Sequence, residues 1–181
     1  MMEQEKREIE VCNRSLNLAR QHKISGNCVR AFAHYLVHKS ILWELNEQDK
    51  MSQDIASISE ISATFEKVKD YFDTKLKTND EEILTQWRST NEQYLELLVK
   101  TIGELTNKQE AYHTANEDYD YVSDILIEQT TEYAMSLFRI GQYLNACEVY
   151  DSFLCNSVMF QNPKVGTLNT YIKLKCENRP K

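Results

Sequence analysis

Glycine and proline are nearly missing from this sequence, with four of the first and two of the second in 181 residues. They punctuate chains into short strands and tight turns, so their scarcity excludes a many-stranded fold and predicts a few long helices. Also missing is any apolar run near the roughly 18 residues needed to span a bilayer, which excludes a membrane helix. The opening, Met1 through Glu8, is charged and lacks the apolar stretch of a secretory leader. No Cys-x-x-Cys pair occurs. The five cysteines (Cys12, Cys28, Cys147, Cys155 and Cys176) are odd in number and scattered. That pattern argues against a zinc site or a disulfide framework and predicts free thiols in a reducing, cytoplasmic compartment.

An excess of positive charge is lacking too. The net charge of −7 argues against nucleic acid as the main partner, because duplex affinity comes largely from neutralising phosphates. The exception is the C-terminal stretch, where Lys164, Lys173, Lys175, Arg179 and Lys181 are basic, opposite in sign to the acidic Glu117, Asp118, Asp120 and Asp124. What is present is globular composition, 41% hydrophobic and 27% charged, enough for one domain with a core.

The apolar residues recur with helical period. Ile9, Cys12, Leu16 and Ala19 mark one face of a first helix. Ser25-Gly26-Asn27 breaks it, and Val29, Phe32, Leu36, Ser40 and Trp43 mark a second, so residues 1–46 form an antiparallel pair. Ile58, Ile61, Phe65, Val68 and Phe72 step in sevens. Thr78 to Glu82 then reads as a helix start, with Asn79 as cap and Glu82 at the capping-box position. Leu84, Trp87, Tyr94, Leu98, Ile102 and Leu105 follow, with Asn91 as a polar interruption. Residues 51–115 are thus expected to form a long hairpin of two helices, each about 25 residues. Val122, Leu126, Tyr133, Leu137 and Ile140, then Tyr143, Ala146, Tyr150, Phe153 and Leu154, give a further pair over 117–160, ended by Pro163. A C-terminal helix over 165–178 carries Leu168, Tyr171, Ile172 and Leu174. Tyr143 and Phe153 are its expected receiving surface, and Lys173, Lys175, Arg179 and Lys181 are expected to project outward.

One internal repeat emerges. Ala19, Gly26, Ala31 and Tyr35 have the spacings of Ala134, Gly141, Ala146 and Tyr150, displaced by 115 residues. These are the spacings of a tetratricopeptide-type helix pair. A small residue admits the second helix, glycine makes the turn, and a second small residue and an aromatic fill the groove. Gly26, Ala31, Tyr35, Gly141, Tyr143, Ala146 and Tyr150 are therefore the expected turn and packing residues. The fold class read from this is all-α: antiparallel hairpins in a tetratricopeptide-like, right-handed solenoid with a long central hairpin.

Catalytic chemistry is not signalled. Gly-rich phosphate loops, a Gly-x-Ser-x-Gly elbow and strand–turn–helix units are absent. His34 and His38 stand four residues apart on one helix, a spacing that can grip a metal, yet Tyr35 sits where a zincin places glutamate. The expected role is that of surface or groove-lining histidines. No metal, cofactor or small-molecule substrate is implied, and no enzyme.

A resemblance can be drawn from three stretches. Asn27 to Ala33 with Val37 to Ser40 looks like the second helical unit of translation initiation factor 3 subunit e. Tyr119 to Asp124 resembles that family's aromatic-Asp-Tyr-Leu segment. Leu137 to Tyr143 with Ala146 to Tyr150 resembles its helix pair around a Gly-x-Tyr turn. The resemblance implies the N-terminal helical-repeat arm of a PCI-type subunit, without the winged-helix module that follows in that family and without its apolar opening. The resulting expectation is a scaffold subunit that binds other protein subunits of a large complex, with no membrane contact. Leu168, Tyr171, Ile172, Lys173, Lys175 and Arg179 are the candidate interaction residues. A second reading is a peptide-binding adaptor whose carboxylate clamp would draw on Arg20, Lys23, Asn27 and Arg30.

Overall fold

The computed structural model describes residues 3–51, 53–78, 80–109, 115–154 and 174–178, and every regular element among them is helical. These are α1 (Glu3–Ile24), α2 (Cys28–Glu44), α3 (Glu47–Met51), α4 (Ile58–Lys75) with a 3-10 turn at Leu76–Thr78, α5 (Glu81–Gln109), α6 (Ala115–Arg139) and α7 (Tyr143–Phe153). Two compact units divide the chain, Met1–Trp87 and Arg88–Lys181. No described helix is long and apolar enough to cross a membrane.

In the first unit α2 packs on both α1 and α4. The face of α1 is the expected one, with Cys12, Leu16 and Ala19 all buried. On α2 the buried residues are Ala31, Phe32, Tyr35, His38 and Leu42. The expected stripe through Val29, Leu36, Ser40 and Trp43 is thus replaced by one rotated about the helix axis, and Ser40 is exposed. The cause is that α2 lies between two neighbours. Phe32 meets Phe65 of α4 with ring centroids 5.2 Å apart, while Cys12, Leu42 and Leu45 make a separate cluster with Ile9 and Ile41. The seven-residue seam of α4 is real, since Ile61, Phe65, Val68 and Phe72 are all buried. This seam was expected to pair with the helix that follows it, and Phe32 of α2 packs against it.

Helix α4 starts at Ser57, whose hydroxyl accepts the Glu60 N–H at 3.1 Å. At the start of α5 the cap is Asp80, with Oδ1 accepting the Glu82 N–H at 2.9 Å. That role was expected of Asn79, which lies outside the described residues, and a carboxylate serves well at the positive end of a helix dipole.

The two turns that carry the repeat are the same structure. Gly26 and Gly141 both have φ of +83°. After α1, Asn27 donates to the His22 carbonyl at 2.9 Å and Gly26 to Lys23 at 3.3 Å. After α6, Gln142 donates to Leu137 at 2.8 Å and Gly141 to Phe138 at 3.1 Å. This paired bond pattern closes a helix on a left-handed residue and satisfies its last carbonyls. Next, Ala31 donates to Asn27 and Ala146 to Gln142, each at 3.0 Å. Every bond of the first set recurs 115 residues later. Ala19, Ala31, Tyr35, Ala134, Ala146 and Tyr150 are all buried, so the second helix of each pair approaches over alanine and is keyed by tyrosine.

A methyl group added at Gly26, Gly103 or Gly141 would meet nothing within 4 Å, so backbone conformation alone sets the effect of substitution. Gly141→Val is expected to cost more than about 1 kcal/mol, because a β-branched residue is poorly tolerated at positive φ. Gly103→Ala, inside α5, should instead stabilise by roughly 0.5–1 kcal/mol. Chemical denaturation of the two variants checks the opposite signs. Equal shifts would contradict the left-handed turn.

Candidate functional site

Three groupings of polar side chains stand out, two in the first unit and one in the second. The first forms around Glu60, the third residue of α4. Its position, three after Ser57, is that of a capping-box glutamate, whose carboxylate often returns to the cap. Here it turns away to α1 and α2. Arg20 donates from Nε to Glu60 Oε1 at 2.9 Å and from a terminal nitrogen to Oε2 at 3.3 Å, and Tyr35 donates its hydroxyl to Oε1 at 2.9 Å. A further Arg20 nitrogen pairs with Asp54, in the segment before α4. The Arg20 hydrogen bonds hold the Glu60 carboxyl below its ordinary range. Burial, with the Glu60 contact adding, pushes the Tyr35 hydroxyl up to about 12. This grouping ties α1, α2 and α4 together. It also commits Arg20, while the side chain of Asn27 caps α2 by accepting the Arg30 N–H at 3.3 Å. Two of the four expected clamp residues are thus spent within the chain.

The second grouping looks like catalytic chemistry and is not arranged as such. Cys12 Sγ lies 3.3 Å from His38 Nδ1, a thiol beside an imidazole. An activated thiol needs a base free to take its proton. His38 Nδ1 is also 3.0 Å from the Cys12 carbonyl oxygen, which can only accept, and Nε2 accepts the Ala56 N–H at 3.3 Å. The proton therefore sits on Nδ1 and the ring is a neutral crosspiece between α1, α2 and the loop before α4. Cys12 Sγ donates to the His38 carbonyl at 3.6 Å. Both residues are fully buried, and burial pushes the Cys12 thiol up, away from the thiolate form. His38 is thus a core residue, neither on the surface nor lining a groove as expected. His34 stacks on His22 with centroids 5.3 Å apart and planes nearly parallel. Among the described residues no group of three or more His, Cys, Asp or Glu could hold a metal ion.

His38 carries a pH prediction. Burial lowers its pKa below the ordinary 6.5, so the unfolded chain binds the proton more readily than the folded one. The resulting stability is fully present above pH 6.5 and is lost as pH falls from 6.5 toward the folded value. His34 is lowered as well, by burial and then by His22, and adds in the same sense. Melting temperature should therefore drop between about pH 6.5 and 5, and His38→Gln should flatten that slope while lowering stability at neutral pH. An unchanged slope in the variant would assign the effect to other groups.

In the second unit a cleft of about 340 Å³ is lined by Arg88, Glu92 and Glu96 of α5 and by Asn145, Glu148 and Phe153 of α7, among others. Arg88 lies 4.0 Å from Glu92. Behind it, Asn91 is buried and accepts a hydrogen bond from Gln129 Nε2 at 3.1 Å. The polar interruption in the α5 stripe is therefore met by a polar residue of α6. Burial, with the Glu92 charge adding, pushes the Tyr133 hydroxyl up to about 12.

At the chain end, Cys147 of α7 is joined to Cys176 by a disulfide. The expectation of free thiols fails for this pair. Cys12 and Cys28 are free, and Cys155 lies outside the described residues. The signal was a separation of 29 residues, which spacing alone does not distinguish from chance. Of the expected interaction residues, Leu168, Tyr171, Ile172, Lys173 and Arg179 lie outside the described residues. Lys175 is described, and its ammonium stands 5.5 Å above the centre of the Phe138 ring, turned onto α6 where an outward course was expected. Phe138 in turn packs on Tyr143 with centroids 6.0 Å apart.

No family model, curated protein or solved structure matches this chain.

Proposed function

We propose that this protein is a non-catalytic helical scaffold whose surfaces hold other protein subunits in a large cytoplasmic assembly. The observation that carries this reading is the duplicated helix pair, matched bond for bond at Gly26 and Gly141. Stacked pairs of this kind are the building unit of tetratricopeptide-like and PCI-type solenoids, which work by presenting extended binding surfaces. Both turns also hold large apolar side chains in solvent. Ile24 is 89% exposed beside the first, and Ile140 and Leu144 are exposed beside the second. The resemblance in Asn27 to Ala33, Tyr119 to Asp124 and Leu137 to Tyr150 points to the translation initiation machinery as the assembly. The adaptor reading is the weaker one, because Arg20 and Asn27 already bind within the chain.

The test is recovery of the tagged full chain from native extract, followed by mass spectrometry. The scaffold reading expects one large complex in fixed proportion, lost with Ile24→Ser and Leu144→Ser while melting is unchanged. A free monomer, or scattered partners in varying amounts, would overturn it.

A further inference from the structure

We propose that His38 is a proton-operated catch, which holds the stretch around Ala56, just before α4, against the α1–α2 pair and releases it as pH falls. Residues 53–57 have no regular structure, and Asp54, Ile55 and Ser57 are exposed. Ala56 is the exception, with no exposed surface at all. A buried amide needs an acceptor, and the Ala56 N–H finds one in His38 Nε2 at 3.3 Å. The ring can accept there because its own proton is on Nδ1, 3.0 Å from the Cys12 carbonyl oxygen. One imidazole, in one tautomer, therefore joins α1, α2 and the Ala56 backbone. Gln53 and Asp54 bond to Lys50 and Arg20, away from the ring, so the catch acts on Ala56 and its immediate neighbours.

Protonation turns that acceptor into a donor. An imidazolium carries N–H at both nitrogens, so Nε2–H and the Ala56 N–H would point at each other, and a cation would stand in a fully buried site. The Nδ1 bond to the Cys12 carbonyl survives and gains from the charge. The ring therefore stays with α1 and α2, and Ala56 is the partner that leaves. The charges facing the ring are divided. Arg20 of α1 and Lys39 on its own helix oppose a further positive charge, whereas Asp54 of the stretch itself favours one. Glu60 of α4 is taken up by Arg20 and Tyr35. Burial outweighs Asp54 and lowers the His38 pKa while the stretch is closed. Once Ala56 leaves, water reaches the ring and the ordinary value of 6.5 returns. Opening thus takes up a proton and is favoured progressively as pH falls. It is local, because the Phe32–Phe65 contact that packs α2 on α4 does not use the ring. It uncovers Cys12, whose sulfur lies 3.3 Å from His38 Nδ1 and is fully buried when the stretch is closed.

The experiment is nuclear magnetic resonance of the full chain between about pH 7.5 and 5.5, reading the His38 tautomer and the Ala56 amide exchange corrected for its intrinsic pH dependence. At the upper pH the ring should carry its proton on Nδ1. Protection of the Ala56 amide should fall about tenfold across the range, the effect of one proton taken up at an ordinary histidine value. At every pH it should stay below that of amides inside α1 and α2, the mark of a local opening. Labelling of Cys12 by a dipyridyl disulfide, mapped by peptide and measured against the half-buried Cys28, should quicken in parallel. His38→Gln keeps a donor and an acceptor but does not titrate, and should remove the pH dependence. A proton found on Nε2 at the upper pH would overturn the catch. So would constant Ala56 protection, Ala56 protection as high as that of the helix interiors, or an undiminished pH dependence in folded His38→Gln. The first three outcomes use wild-type protein and decide the matter even if the variant fails to fold.

Discussion

Tyr35→Ala should lower the stability of the first unit by about 3–5 kcal/mol, and Tyr150→Ala should do the same in the second. Both rings are essentially inaccessible, at 0% and 2% exposure, and each sits four residues after the alanine that lets its helix approach. Truncation leaves a cavity the size of a ring in a place where neighbouring helices cannot close without moving the turn. Tyr35→Phe should cost less, roughly 1–3 kcal/mol, because the ring stays and only the hydroxyl's hydrogen bonds, to the charged Glu60 and to Thr64, are lost. Denaturant unfolding with amide exchange resolved by helix checks all three. The alanine variants should release α1 and α2 in one case and α6 and α7 in the other. A loss below about 1.5 kcal/mol for either alanine would show that its ring is not an anchor.

The second large effect concerns Asn91 and Gln129. Asn91→Leu strands the Gln129 amide in a site where both residues are at or below 5% exposure. An unsatisfied buried polar group costs about 1–3 kcal/mol, and Gln129→Leu removes the same hydrogen bond from the Asn91 side. The double variant removes both and should be less destabilised than the sum of the singles, with a coupling of about 1 kcal/mol or more. Additive losses would mean that the two amides do not interact in solution. The pair also bears on register. The Asn91–Gln129 bond forms only when α5 and α6 align so that the amides meet.

How much of this was legible in the sequence follows from what is local. The duplicated turns were legible because glycine, two alanines and a tyrosine within 17 residues of chain define them, and no distant contact is needed. The buried face of α1 was legible for the same reason, as it packs chiefly on α2. The face of α2 was not, because helices on two sides make two stripes apolar, and periodicity does not say which faces which partner. Glu60 drew no expectation from the sequence, because its pairing with Arg20 and Tyr35 joins three separate helices. His38 read as a surface histidine because its neutral role depends on the Ala56 amide, which the chain returns to it from 18 residues away. The Cys147–Cys176 bond was hidden by cysteine counting, which weighs a whole chain and not one pair.

The central claim is that one helix pair is built twice, and the backbone at its two turns tests it most directly. Nuclear magnetic resonance of the full chain can give φ at Gly26 and Gly141 together with exchange of the Asn27 and Gln142 amides. Both glycines should be left-handed, and both amides should be protected above their exposed neighbours by the bonds to His22 and Leu137. A helical or extended φ at either glycine, or a Gln142 amide exchanging as fast as an unfolded chain, would contradict the duplication.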